Sequence, residues 1–156
     1  MARNIELTEQ AKRECAEALS KVLSDVFILY LKTHNFHWNV TGSQFLGLHE
    51  FFEKQYRDLW NSIDDIAERI RELGQPAPGT TGKFKELAEI KENDRIPPAT
   101  EMLRELVIDN ETTTRTIRAA LSTAQAAGDE ATAGLLTDRL AYHEKQMWMM
   151  KSLMAS

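Results

Sequence analysis

Apolar residues recur along the first forty positions at spacings of three and four. Cys15, Ala18, Val22, Val26 and Leu29 fall on one stripe, which predicts an amphipathic helix from Thr8 to about Trp38. Asn39 to Gln44, with Gly42 among polar residues, reads as a connection, and a second helix is expected to begin near Phe45. In it Phe52, Tyr56, Leu59, Ile63, Ile66, Ile70 and Leu73 alternate steps of four and three, a core stripe that stops at Gly74 and Pro76. Residues 75–98 form the longest connection, and Lys83 to Lys91 within it is compatible with a short helix. Pro97-Pro98 opens a third long helix reaching about Ala127, whose middle, Asp109 to Thr114, is polar. Gly128-Asp129 breaks the pattern again, and a last helix over about residues 131–154 carries Leu136, Leu140, Met147 and Met150 on one side.

Four long helices with one long middle connection predict an all-α fold. It is a four-helix bundle whose second-to-third link runs the length of the bundle and holds a short helix, a connectivity that resembles ferritin-like folds. At 156 residues the chain has the size of one domain, expected to span 1–156. The 42% apolar and 28% charged composition is that of a globular protein. The longest apolar run, Val26 to Leu31, is far short of the roughly 18 residues of a membrane span. The N-terminus shows no apolar leader segment, so a cytoplasmic location is expected. The single cysteine, Cys15, lies on the apolar stripe and reads as a core residue. A net charge of −5 argues against a surface built mainly to hold phosphates.

Three of the four histidines, two tryptophans and a regular set of carboxylates lie between positions 34 and 68. In the second helix His49 and Glu53 stand four apart, as do Asp64 and Glu68, so each pair shares a helical face. At about 100° per residue from His49, Glu53 lies near about 40°, Asp64 near 60° and Glu68 near 100°. The core stripe centres roughly 110° away from this face. Trp60 lies inside the same polar face, and a large indole there favours a buried interface over water contact.

His49 and Asp64 are roughly 22 Å apart along one helix, whereas metal–ligand bonds are about 2 Å long. One copy of the helix therefore cannot bring both pairs to one metal. The 49/68 and 53/64 pairs, however, share a midpoint near Arg57 to Leu59. Two copies crossing antiparallel about a two-fold axis there would set His49 and Glu53 of one against Glu68 and Asp64 of the other. Such a contact creates the juxtaposition twice, giving a homodimer with two equivalent sites. His37, at the end of the first helix, is the natural extra ligand. A set of two histidines and three carboxylates suits Fe(II), Zn(II) or Mn(II). His34 is expected in a supporting or exposed position, and His143 as a structural residue. No histidine has a glutamate three residues before it, which disfavours a di-iron centre within one chain. Phosphate-loop, dinucleotide, Cys-x-x-Cys and Gly-x-Ser-x-Gly motifs are also missing.

These same residues resemble the Dps family, the miniferritins called DNA-binding proteins from starved cells. One matching stretch is His37-Trp38-Asn39-Val40-Thr41-Gly42, then five residues, Leu48-His49 and Glu53. The other is Ile63-Asp64-Asp65-Ile66-Ala67-Glu68-Arg69, followed by Leu73-Gly74 and Ala77, and Trp148-Met149 is similar to the family's last helix. The resemblance implies a homododecamer built from two-fold dimers. Its ferroxidase centres would draw His37, His49 and Glu53 from one subunit and Asp64 and Glu68 from its mate, with two iron positions each and zinc or manganese as substitutes. The implied reaction is oxidation of Fe(II) by hydrogen peroxide, with oxygen less efficient, followed by storage of ferric mineral and protection against oxidative damage. Trp38 beside the centre is implied either to quench stray oxidising equivalents or to pack.

The chain departs from the family pattern in two places. Glu53 stands where many relatives carry aspartate, and Gly134 where relatives often place an acid near Asp129 and Glu130, the residues similar to the lining of an iron-admitting pore. DNA binding is not expected, since the first seven residues offer only Arg3 and the last six only Lys151. The alternative reading is a DNA-compacting architectural protein with a secondary metal site.

Overall fold

Local signals set the ends of each helix. In a computed structural model that describes residues 6–155, Thr8 caps α1 (Glu9–Asn39) by accepting the Ala11 amide at 3.0 Å. The readings that rest on residues 1–5, Arg3 and the leader among them, lie outside the described residues, as does Ser156. Helix α2 (Phe45–Glu72) ends in a turn where Gly74, at φ +85°, lets the Gln75 amide reach back to the Ile70 carbonyl. Thr80 caps the short α3 (Thr81–Leu87). Helix α4 (Ala99–Ala127) follows the Pro97-Pro98 pair and ends at left-handed Gly128. Asp129 caps α5 (Glu130–Met154) by accepting the Thr132 amide.

Four long helices and a short one in the connection match the expected bundle, and no strand occurs among the described residues. Helix α1 packs on α2, α3 and α4, and α4 packs on α5. Side-chain partners give the directions. Late α1 meets early α4 through Lys32, which pairs with Asp109 at 2.7 Å and Glu105 at 3.4 Å, while Asp25 further back meets Thr116. Glu111 meets Lys151 and Arg118, two turns on, meets Glu144, so α4 and α5 are antiparallel. Residue 55 lies against 146 and 69 against 132, so α2 and α5 are antiparallel as well. With α1 and α2 also antiparallel, α2 and α4 must point the same way, and the connection between them has to run back along the bundle.

Asp25 holds that connection in place. Fully buried on α1, it accepts the Glu89 and Ile90 amides at 2.8 and 3.1 Å and the Thr116 hydroxyl at 2.6 Å. This corrects the short helix expected over 83–91. It starts two residues earlier and stops at Leu87, because the amides of Glu89 and Ile90 turn to the Asp25 carboxylate instead of continuing the helix. Burial raises the Asp25 pKa despite its three hydrogen bonds.

The core joins Leu19, Val22, Leu23, Val26, Leu29 and Phe36 of α1 to Phe52, Leu59, Ile66 and Ile70 of α2, with Leu106, Ile117, Leu136 and Met150 opposite. The expected α2 stripe is rotated slightly. Tyr56 and Ile63 are half-buried, and Gln55 and Ser62 are buried instead. The cause is the α2–α5 seam, which is polar: Gln55 donates to Gln146 at 3.1 Å, Arg139 pairs with Asp58 at 2.8 Å, and Tyr142 hydrogen-bonds the Gln55 carbonyl. The polar middle of α4 is likewise interior, with Asp109, Asn110, Thr113 and Thr114 all buried. Cys15 is a core residue as expected, and burial pushes its thiol pKa up to about 11. His143 is structural as expected. It is fully buried on Asn110, and burial pushes its pKa down to about 3, so it stays neutral.

Candidate metal centre

The short connection between α1 and α2 folds the end of the first helix onto the start of the second and brings two histidines face to face. The His37 and His49 rings stack at 3.8 Å between centroids, 15° from parallel. Each Nδ1–H donates to the other residue's backbone carbonyl, at 2.6 Å from His37 and 2.7 Å from His49. This exchange fixes both tautomers and leaves both Nε2 atoms with lone pairs, the form in which imidazole binds a metal. Glu53, one turn along α2, places one carboxylate oxygen 3.9 Å from His37 Nε2, and Arg57 holds the other oxygen at 3.3 Å. His37 is buried, His49 half-buried and Glu53 half-exposed, so the group opens outward from the bundle.

Asp64 and Glu68 stand exposed on the same helix, at the far end from His49. Among the described residues, no three His, Cys, Asp or Glu side chains of one chain converge as a metal-holding group. The bundle thus carries two separated half-sets, one with the imidazoles of α1 and α2 beside Glu53 and one with carboxylates only. Trp60 between them is 57% exposed and Trp38 beside His37 is 59% exposed, with Phe45 and Leu46 also outward. Apolar area of this kind along a row of donors marks a contact surface.

The residue that sequence reasoning set aside, His34, sits inside an aromatic group. Its ring stacks on Tyr56 at 3.8 Å and lies 4.1 Å from Trp38, and its Nδ1 is hydrogen-bonded to the Tyr30 hydroxyl at 3.0 Å. Burial, helped by nearby His37 and Arg57, holds its pKa below the ordinary histidine value. Tyr30 and Trp60 close the group around a cavity of about 350 Å3. Sequence reasoning missed Tyr30 and Tyr56 as neighbours of the site. The signals were Tyr30-x-x-x-His34 and Tyr56-x-x-x-Trp60, each an i, i+4 aromatic pair.

At the other end of the bundle, Asp129 is buried, caps α5 and binds Arg69 at 2.8 Å. Thr132 and Arg69 hold its pKa below the usual carboxylate value, against a burial effect that would raise it. Its carboxylate is therefore ionised and already paired with Arg69, while Glu130 and Asp138 are exposed around a depression of about 470 Å3 that includes Gly134.

Comparison with known proteins first gives the class: residues 16–156 match the ferritin-like domain family. The structure superposes on the Dps protein of Vibrio cholerae O1 with a TM-score of 0.92 and 31% identity, covering 99% of this chain and 98% of that one; that protein is described as a member of a broad superfamily of ferritin-like diiron-carboxylate proteins. The DNA protection during starvation protein of Brevibacillus brevis is 37% identical over 139 residues, 89% of this chain and 93% of its own. That of Porphyromonas gingivalis is 34% identical over 146 residues, 94% and 92% of the two chains. The chain belongs to the Dps family of ferritin-like proteins.

Proposed function

We propose that this protein forms a cage that oxidises Fe(II) with hydrogen peroxide and stores the ferric product, limiting oxidative damage in the cytoplasm. The observation that carries this reading is the paired imidazoles of His37 and His49, which present free Nε2 atoms beside Glu53, while Asp64 and Glu68 occupy the distant end of the same face. Two antiparallel copies of α2 complete the ligand set twice per dimer, and the cage is a homododecamer built from six such dimers. Each centre takes two irons as substrate, with zinc or manganese as substitutes at the same ligands. The carboxylates favour the ferric product, being hard anionic oxygen donors. Delivering two electrons to one peroxide yields water rather than hydroxyl radical. Trp38 serves as an oxidisable neighbour.

Anaerobic Fe(II) titration followed by peroxide tests the reading. Stoichiometric peroxide consumption, lost in His49→Ala and in Glu68→Ala, is expected; oxidation unchanged in both variants contradicts it. The relatives' names direct attention to DNA as a second ligand. A net charge of −5 opposes it, so a gel shift at physiological salt is expected to show no tight complex.

A further inference from the structure

The rings beside the candidate centre form a continuous path that the ligand set does not use. From His37 the path passes to Tyr56 at 5.1 Å between centroids, to His34 at 3.8 Å, and on to Tyr30 at 5.6 Å and Trp60 at 5.2 Å beyond it. At its middle the Tyr30 hydroxyl is hydrogen-bonded to His34 Nδ1 at 3.0 Å, and in the tautomer protonated at Nε2 the hydroxyl is the donor. A phenol loses an electron most readily when its proton can leave at the same moment, and a neutral imidazole nitrogen in hydrogen-bond contact is the group that can take it. Tyr30 is half-buried on α1, and its environment raises its pKa, so the phenol is protonated and available as a hydrogen donor.

We infer that Tyr30 and His34 act as a redox pair that supplies one electron to the iron centre when only a single Fe(II) is bound. The inference rests on the proposed ferroxidase reading. Hydrogen peroxide needs two electrons to be reduced without releasing hydroxyl radical. One Fe(II) gives one and becomes Fe(III). Tyr30 gives the other along the ring path, its hydroxyl proton passing to His34 Nδ1 and then to solvent. The sum is Fe(II), peroxide and tyrosine giving Fe(III), a neutral tyrosyl radical, one water and one hydroxide, with charge and atoms conserved. The peroxide O–O bond and the Tyr30 O–H bond break, and no carbon–oxygen bond changes. Trp38, 4.1 Å from His34, lies on a branch of this path, not at its proton-coupled step.

Two arms test the pair. In iron-free assembled protein, a photogenerated one-electron oxidant, ruthenium tris-bipyridine with persulfate, is followed by freeze-quench electron paramagnetic resonance. The chain has only three tyrosines, so Tyr30→Phe and Tyr56→Phe assign the signal. A tyrosyl signal lost in Tyr30→Phe, kept in Tyr56→Phe, and formed at least tenfold more slowly in His34→Gln with a solvent deuterium effect is expected. No Tyr30 signal, or one indifferent to His34→Gln, overturns the pair. In the second arm one Fe(II) per centre is mixed with peroxide. The same radical, with at least threefold more hydroxyl spin adduct in Tyr30→Phe, is expected. Normal iron oxidation without the radical overturns the electron-donor role and leaves the ferroxidase reading standing; absent iron oxidation, with the first arm positive, overturns both.

Discussion

Asp25 is the residue on which the crossover depends. Its carboxylate replaces the lost helical partners of Glu89 and Ile90 and ties them to Thr116 of α4. Removing it leaves a buried amide unpaired, so Asp25→Ala is expected to lower unfolding free energy by roughly 2–4 kcal/mol, measured by urea denaturation, with Asp25→Asn milder because an acceptor remains. Asp129 makes a pH-dependent contribution. Its folded pKa lies below the ordinary 3.8, so its stabilisation is present above that value and is lost as pH falls through it towards the folded pKa. Thermal melts from pH 5 down to pH 2 are expected to show the difference below about pH 3.8, where the wild type falls more steeply than Asp129→Asn. Neither role was legible in the sequence. Asp25 did leave a signal, a lone acid inside the apolar run Val22 to Leu29, but an acid alone does not say which amides it will meet 64 residues away.

Each helix was legible in proportion to its punctuation. Thr8, Gly74 and Gly128 fixed ends to within a residue or two, because capping and left-handed turns are decided locally. Gly128 sits at φ +72°, and Gly128→Ala is expected to cost about 1 kcal/mol in unfolding free energy, since only glycine takes that conformation without strain. The end of α3 and the exact facing of α2 and α5 were not legible. Both are set by partners distant in sequence, Asp25 in one case and the polar Gln55–Gln146 and Asp58–Arg139 seam in the other. The α4 middle illustrates the same point: its polarity does not tell how it packs, and the answer lies in partners distant in sequence, Lys32 for Asp109 and His143 for Asn110, inside the bundle.

For the whole molecule, the ordering of the site residues on α2 was readable because helical geometry alone prescribes which residues share a face and how far apart they stand. The reciprocal hydrogen bonds of His37 and His49 were not readable, since they depend on how the connection folds α1 back onto α2. One bundle holds two unlike half-sites, and under the proposed function a second copy must complete each. Complementation between two defective subunits tests this most directly. His49→Ala and Glu68→Ala homo-oligomers are each expected to be inactive with Fe(II) and peroxide. Co-refolded at equal amounts, half of randomly formed dimers pair one of each and regain one intact centre, so roughly a quarter of wild-type activity returns. No recovery in verified mixed oligomers would contradict the shared centre, because a site built within one chain cannot be repaired by a neighbour.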